Sequence, residues 1–344
     1  RYDFILILSL FSLIFVNSIF HRLAEHGTDR SALILIFILA IYYLEGTNIR
    51  KSIINFNYFN YFYQKILILI ILIASLKSFY LIYLIFIVIF FYEFRKILFE
   101  SSFYKKLFSQ RITYFFIFSI LIILITIFSN TGCLIYPASF TCFDSFSWSI
   151  PKSQVTQMKT WYELWSKAGA SPTYRIENID QYLSGLNWVP NWIQNHFFNK
   201  ISDYLLSLFL IIIICSIFLI QFKNERLLKK KIFLFYFSIL ILLIEWFFNH
   251  PALRYGGYTL IALLFFVPLS SFIERNLISD FKLKKKITIL ICLSFVFFLS
   301  KNVNRLFKEN EKYNFNPLIN AHYYIKPDAY YFYDLLSKAE KNRN

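Results

Sequence analysis

HRLAEHGTDR, residues 21–30, is a ten-residue polar segment with apolar stretches on both sides. Each flanking stretch is close to the length of a membrane-spanning helix, which needs about 20 apolar residues. The segment contains two histidines, two carboxylates and two arginines. Because ionisable groups are costly at the edge of a bilayer, such a dense cluster is a candidate functional site. The alternative is a solvated turn between two helices.

The composition of the chain indicates a membrane protein. Hydrophobic residues make up 58% of the 344 residues and charged residues only 16%, which is outside the range of soluble globular domains. The net charge of +16 would suit nucleic acid, but the basic residues cluster in short loops between apolar stretches, where they set orientation in a membrane. We therefore predict an all-α, polytopic integral membrane protein that contacts membrane lipid and no nucleic acid.

The apolar pattern predicts nine membrane-spanning helices, some of them shortened by burial among neighbours. They are roughly 2–20, 31–45, 64–76, 78–94, 111–129, 201–221, 232–248, 258–273 and 287–300. Lys77 leaves almost no loop between the third and fourth, so that pair is either one long tilted helix or two short ones. The domains follow: N-terminal spans (1–129), an exoplasmic loop with interfacial helices (130–200), C-terminal spans (201–300) and an exoplasmic tail (301–344). Because the chain begins at Arg1 rather than Met, we expect further spans upstream.

Basic residues in short loops predict the orientation. Three basic loops, at 95–111, 223–231 and 275–286, fall on one face if there are nine spans. We assign that face and the start of the chain to the cytoplasm of a bacterial inner (plasma) membrane. The periplasmic face then receives the 21–30 segment, Lys77, the long loop and the turn at 250–257. It also receives all five histidines, at positions 21, 26, 196, 250 and 322.

Two carboxylates in the 21–30 segment are the candidate catalytic residues. Glu25 and Asp29 are four residues apart, which places both on one face if the segment begins a helix. With His26 they suit a divalent cation, Mg or Mn, and either carboxylate suits the role of general base. The alternative for Asp29 is that it or Thr28 caps the following helix.

Arg254 is the candidate ligand for an anionic headgroup. It lies in a short loop beside Tyr255 and the Gly256-Gly257 pair. A guanidinium with accessible backbone amides suits a phosphate, whereas a purely anchoring arginine would extend to the interface. We group it with four further substrate-binding candidates, namely His26, Arg30, His250 and Tyr255.

The loop at 130–200 carries tryptophans at helical spacing. Trp161 and Trp165 form one such pair, and Trp188 and Trp192 form another. These tryptophans have two possible roles. They anchor the loop in the headgroup layer, or they line a sugar- or lipid-binding groove. Cys133 and Cys142, nine residues apart in this loop, are a candidate disulfide in an oxidising periplasm.

The chain resembles the glycosyltransferase C superfamily, whose members take sugars from polyprenyl-phosphate carriers at the exoplasmic face. More narrowly, it resembles uncharacterised bacterial membrane proteins related to that superfamily. The residues that carry the resemblance are EHGTD (25–29), TGCLIYP (131–137) and PALRY (251–255). The superfamily uses an acidic base in its first exoplasmic loop and acidic ligands for metal or carrier phosphate in its second. The resemblance places Glu25 and Asp29 in the second loop and the base upstream of this chain.

The function that the resemblance implies is transfer of a sugar from a polyprenyl-phosphate donor to a glycan acceptor of the cell envelope. An envelope-polysaccharide polymerase or ligase of another fold is one alternative. A non-enzymatic transporter or flippase is the other, although transport favours ionisable residues at mid-membrane, and the centres of the predicted spans are apolar.

Overall fold

The computed structural model describes residues 3–22, 27–48, 56–98, 102–170, 176–220, 232–275, 280–314 and 316. Its described part is helical and contains no strand, apart from one bridge between Cys133 and Cys142. Glu25, His26, the basic residues at 223–231 and the tail from 317, with His322, lie outside the described residues.

The helices follow the predicted apolar segments. Short elements join them: a 3₁₀ helix (Ser78–Leu84) leads into α4, and a π-helical stretch (Ile193–Ile201) joins α10 to α11. The helices are α1 (Asp3–Ile19), α2 (Asp29–Thr47), α3 (Phe56–Leu76), α4 (Ile85–Glu93), α5 (Arg95–Leu98), α6 (Phe103–Phe108), α7 (Arg111–Thr131), α8 (Lys152–Lys167), α9 (Ile179–Leu183), α10 (Val189–Trp192), α11 (Ser202–Leu219), α12 (Phe233–Asn249), α13 (Gly257–Arg275) and α14 (Asp280–Tyr313).

Among the residues that the structure describes, six helical runs are long and apolar enough to cross a membrane. They are Asp29–Thr47, Phe56–Leu76, Arg111–Thr131, Val189–Leu219, Gly257–Arg275 and Leu283–Lys312. The other three predicted segments form shorter apolar helices, Asp3–Ile19, Ser78–Glu93 and Phe233–Asn249. The lengths and compositions of the six longer runs are those of membrane-spanning segments.

Two helices extend well beyond the predicted apolar segments. The third segment begins at Phe56 rather than 64, because polar residues in its first turns find partners: the Asn60 amide donates to the Gln110 side chain at 3.0 Å. It does not continue into the fourth segment, since Lys77 has an extended backbone (φ −165°, ψ 129°) that ends α3. The pair is therefore two helices.

At the other end of the chain, α14 extends past residue 300 to Tyr313, so the boundary at 301 lies inside a helix.

The chain divides into two units, residues 1–291 and 292–344. The core of the first unit is aromatic. Phe11 of α1 and Phe266 of α13 stack at 5.1 Å, and Phe15 packs edge to face with Phe266 at 5.9 Å and with Phe37 at 5.2 Å. The Thr259 hydroxyl also donates to the Leu33 carbonyl at 3.2 Å, which ties α13 to α2. In the second unit, Arg305 and Glu309 form a 3.8 Å ion pair one helical turn apart.

Hydrogen bonds show how the segments alternate between the two ends of the first unit. At one end, the Tyr58 hydroxyl donates to the Gly46 carbonyl at 3.1 Å, and Tyr63 bonds Thr113 at 3.3 Å. At the other end, the Thr28 hydroxyl donates to the Leu76 carbonyl at 3.1 Å. The start of α2 therefore meets the end of α3 there, beside Lys77.

Candidate functional site

Four separate parts of the sequence meet at the end of the first unit where α2 begins. Besides the Thr28 contact with Leu76, the Ser78 hydroxyl donates to the Tyr136 carbonyl of the long loop at 3.4 Å. The turn that carries Arg254 reaches the same place through contacts with Asp29. These segments therefore share one end of the first unit, and the assignment of that end to the exoplasmic face stays a prediction.

Asp29 is the centre of this cluster. It lies in the first turn of α2, where the helix dipole favours a negative charge, and only 2% of its surface is exposed. Lys77 Nζ lies 2.8 Å from Asp29 Oδ1, and Arg254 Nε lies 3.5 Å from Oδ2. A buried carboxylate is costly unless it is paired. The two cations therefore offset the cost of burying the Asp29 carboxyl group.

Lys77 and Arg254 outnumber the carboxylate they share. Their side chains remain 34% and 30% exposed, whereas that of Asp29 is 3% exposed. One negative charge against two positive charges leaves the trio with a net positive charge, carried by the two more accessible groups. We call Asp29, Lys77 and Arg254 the cation-pair site.

Thr28 occupies the N-cap position of α2, but its side chain makes no capping hydrogen bond. The alternative in which the Thr28 side chain caps the helix is therefore not what the structure shows. Its hydroxyl is used instead to reach the Leu76 carbonyl. The Tyr80 hydroxyl adds to the site from the 3₁₀ helix, since it donates to Asp29 Oδ1 at 3.3 Å.

Arg254 is presented by a fixed turn. It lies in a single 3₁₀ turn, Leu253–Tyr255, which Gly256 follows with φ +121°, a conformation that favours glycine. Two buried indoles hold the chain just before it. Trp192 Nε1 donates to the Pro251 carbonyl at 3.0 Å, and Trp246 Nε1 donates to the Ala252 carbonyl at 2.9 Å.

Aromatic rings cover both cations. The Arg254 guanidinium lies 4.9 Å from the Trp165 ring centre and 4.8 Å from that of Tyr255. Lys77 Nζ lies 4.7 Å from the same Tyr255 ring. Arg254 Nη2 also donates to the Tyr255 hydroxyl at 3.2 Å. Such contacts stabilise a cation and fix its direction. A role for Tyr255 in binding substrate stays a prediction.

His250 lies beside the cluster, between Phe79 and Tyr255, with ring centres 5.4 and 5.6 Å away. Its Nδ1 is buried and has no hydrogen-bond partner within the described ranges. Burial lowers the pKa of His250 to about 4, Glu163 opposes this, and the positive charges of Lys167, Lys77 and Lys159 reinforce it. At neutral pH the ring is therefore uncharged. Burial likewise raises the pKa of Tyr255, which keeps its hydroxyl protonated.

Arg30 is the predicted binding residue of the 21–30 segment that the structure describes. It is buried, with 6% of its surface exposed. Its Nη1 donates to the Arg22 carbonyl, and its guanidinium lies 5.7 Å from the Phe20 ring centre. These contacts join the first turn of α2 to the residues that follow α1. A direct role for Arg30 in binding substrate stays a prediction.

The four predicted groove tryptophans separate into three environments. Trp165 covers Arg254, and Trp161, one turn away on α8, is 47% exposed. Trp188 and Trp192 are 0% and 6% exposed and pack against Phe247 at 5.1 and 5.5 Å. The groove or interfacial position predicted for these last two does not fit their burial, because both belong to the core of buried residues.

The long loop contains the predicted disulfide between Cys133 and Cys142.

The predicted metal site involves Glu25 and Asp29. In the part of the chain that the structure describes, no group of three or more His, Cys, Asp or Glu side chains could hold a metal ion. Both oxygens of Asp29 contact cations, and Glu25 lies outside the described residues. A divalent cation at Glu25 and Asp29 stays a prediction.

Sequence reasoning missed Lys77 and Tyr80 as site residues. Lys77 had a signal, because it is a lone cation between two apolar segments on the predicted exoplasmic face. Tyr80 had none that distinguishes it among 25 tyrosines. Only the turn from α3 into the 3₁₀ helix brings its hydroxyl to Asp29.

Comparison with protein families identifies the family to which the chain belongs. Residues 1–261 match the model of a family described as a domain of unknown function, DUF8201. The chain belongs to this family. No curated protein and no solved structure matches it. The region shared with the DUF8201 family includes Asp29, Lys77 and Arg254, so the whole cation-pair site lies within it.

Proposed function

We propose that this protein is a membrane glycosyltransferase that moves a sugar from a polyprenyl-phosphate donor to a glycan or lipid of the bacterial cell envelope. The observation that carries the proposal is the cation-pair site, in which Lys77 and Arg254 converge on the buried Asp29 at 2.8 and 3.5 Å. It lies at the end of an apolar helical bundle, which is where the phosphate of a membrane-embedded carrier would be met.

The charge of the site suits a phosphate. A polyprenyl-phosphate sugar carries one negative charge on its phosphodiester, and the site carries one net positive charge. During transfer the bond between the sugar C1 and the phosphate oxygen breaks, and the electron pair stays on that oxygen. Fixed cations stabilise the charge that develops there. Asp29 holds the two cations together against their mutual repulsion.

The acceptor hydroxyl forms the new bond to C1 and must lose a proton. Both Asp29 oxygens already contact cations, so Asp29 acts in this scheme by holding Lys77 and Arg254. The role of base passes to Glu25 or to another carboxylate outside the cation-pair site. Nine spans, a cytoplasmic start and a periplasmic site complete the proposed topology.

The direct test is release of the carrier. The full chain is reconstituted in vesicles with a panel of polyprenyl-phosphate sugars and an envelope glycan fraction, and free polyprenyl phosphate is quantified by mass spectrometry. We expect Arg254→Ala and Lys77→Ala to lower release at least tenfold, a loss of about 1.4 kcal/mol in transition-state stabilisation. Arg111→Ala, at the opposite end of the bundle, should match the unmodified protein. Normal release by both site variants would refute the assignment.

A second candidate is an envelope-polysaccharide polymerase or ligase that works without a metal. Two cations and the neutral His250 beside them favour it, because they provide phosphate binding and a proton acceptor from side chains alone. Full activity after treatment with a chelator would support this candidate. Loss of activity that Mg or Mn restores would support the metal-assisted transferase.

A further inference from the structure

The long loop begins with a compact hairpin, residues 132–150, which we call the disulfide loop. The bond between Cys133 and Cys142 closes it, and the Leu134 amide donates to the Thr141 carbonyl across it at 3.1 Å. Its ends are joined to α7, since the Ile150 amide donates to the Thr131 carbonyl at 3.1 Å. Gly132, with φ +75°, makes the turn at which α7 ends. The loop is therefore a fixed structure at the end of that helix.

The outer surface of this loop is apolar. Asp144 is the one charged residue between 129 and 151. Phe140 is 88% exposed, which for a phenylalanine in a well-bonded loop requires an explanation. Five more large apolar side chains are each more than 40% exposed, namely Leu134, Ile135, Phe143, Phe146 and Trp148.

This surface is continuous with that of α7. Phe128, near the end of α7, packs edge to face with Phe143, Phe146 and Trp148 at 5.9, 5.6 and 5.4 Å. Only 6% of the apolar window of α7 is buried inside the protein, and exposed side chains such as Phe118 and Ile125 run along it. A spanning helix of this kind faces lipid over most of its circumference.

We propose that the disulfide loop inserts its aromatic side chains into the boundary between headgroups and acyl chains of the membrane that α7 crosses. Aromatic residues are favoured at that depth, and the loop extends the lipid-facing surface of α7 where the helix leaves the acyl chains. A second copy of this chain or another protein would have to cover the loop while lipid covers the helix surface next to it. The proposal does not rest on the proposed enzymatic function.

The anchor has a consequence for the site. Val155, in the first turns of α8, is fully buried against Cys133 and Cys142. The far end of α8 carries Trp165, which covers Arg254 at 4.9 Å. Insertion of the disulfide loop therefore fixes the height of α8, and with it the aromatic cover of the cation-pair site, relative to the membrane surface.

The test replaces Phe140 in the full chain with the photoreactive p-benzoylphenylalanine, in nanodiscs of phosphatidylethanolamine and phosphatidylglycerol. After irradiation, mass spectrometry identifies what has been captured. We expect a phospholipid adduct at Phe140, as at the positive control Ile125 in the middle of α7. We expect no lipid adduct at Gln157 on the exposed face of α8. A crosslink to a second copy or another protein, or no adduct at all, would overturn the proposal.

A second measurement avoids an altered side chain at Phe140. Nanodiscs that contain brominated lipid quench tryptophans within the bilayer boundary. The emission lost on Trp148→Phe substitution is the contribution of Trp148, and we expect brominated lipid to quench most of it. An unquenched Trp148 contribution would place the loop outside the membrane and contradict the proposal.

Discussion

Asp29 is a buried carboxylate that two cations share. Its position determines where the other residues of the cation-pair site lie. It is 2% exposed and contacts Lys77, Arg254 and the Tyr80 hydroxyl. Three partners from two other parts of the chain therefore depend on one side chain. Its substitution affects the fold and the site together, and the two effects have to be separated experimentally.

Asp29→Asn keeps the shape of the side chain and removes its charge. Because it leaves Lys77 and Arg254 without their shared counter-charge, we expect a loss of about 1.5–3 kcal/mol in the free energy of unfolding, the range for hydrogen bonds to charged groups. Thermal unfolding in detergent measures it. The control is Asp180→Asn, an exposed first-turn carboxylate, for which we expect less than about 0.5 kcal/mol. Equal stability of the two variants would contradict the pairing.

His250 predicts a dependence of stability on pH. Its pKa is about 4 in the folded chain and 6.5 ordinarily. Between these values the unfolded chain takes up a proton that the folded chain does not bind, so stability falls as the pH is lowered from 6.5 and levels off near 4. The loss is at most about 3 kcal/mol. Thermal unfolding of His250→Asn should show a shallower fall over this window, and parallel curves for the two proteins would refute the assignment.

At the scale of elements, the turn Leu253–Tyr255 depends on tryptophans that come from elsewhere. Trp192 and Trp246 donate to the carbonyls of Pro251 and Ala252, just before the turn. Gly257 lies against Trp246 so closely that an added Cβ would be 2.6 Å from the ring. The indoles therefore position Arg254 through the backbone that precedes its turn.

Trp192→Phe removes this hydrogen bond and keeps a large ring. We expect the free energy of unfolding to fall by about 1 kcal/mol, the net value of a typical hydrogen bond. We also expect proteolysis or hydrogen exchange to show faster local opening at residues 250–256. Trp161→Phe on the exposed face of α8 is the matched control and should change neither. If the two variants behave alike, Trp192 is not a positioning residue.

The sequence predicted the apolar elements better than their partners. All nine predicted segments correspond to helices, because unbroken apolar runs leave little choice of local structure. The burial of Trp188 and Trp192 could not be predicted, since the four-residue spacing is the same in a buried and an interfacial helix. The start of α3 and the end of α14 were not predicted. In α3, side-chain partners such as Gln110 for Asn60 allow the helix to begin among polar residues.

The sequence likewise predicted the residues of the site better than the contacts between them. Asp29, Arg254 and Tyr255 were predicted because they stand out as polar groups beside apolar segments. Their mutual contacts join positions 29, 77 and 254, and no local pattern reports contacts over such separations. Lys77 was placed on the correct end of the molecule, yet its pairing with Asp29 depends on where α3 stops.

At the scale of the whole molecule, the account requires that the two ends of the first unit face opposite sides of a membrane. Lys105 of α6 and Gln157 of α8 are both exposed. Lys105→Cys should therefore react with an impermeant maleimide from the cytoplasmic side only, and Gln157→Cys from the periplasmic side only, each in a Cys292→Ser background because Cys292 is exposed. Labelling of both from one side would contradict the proposed topology.

The central claim is that Lys77 and Arg254 bind the phosphate of a lipid carrier. The most direct measurement is native mass spectrometry of the full chain with undecaprenyl phosphate, with undecaprenol as the uncharged control. We predict that the protein and Arg111→Ala retain the phosphate form preferentially, and that Lys77→Ala and Arg254→Ala lose this preference while remaining folded. Equal retention of phosphate and alcohol by the unmodified protein, or an unchanged preference in both site variants, would contradict the claim.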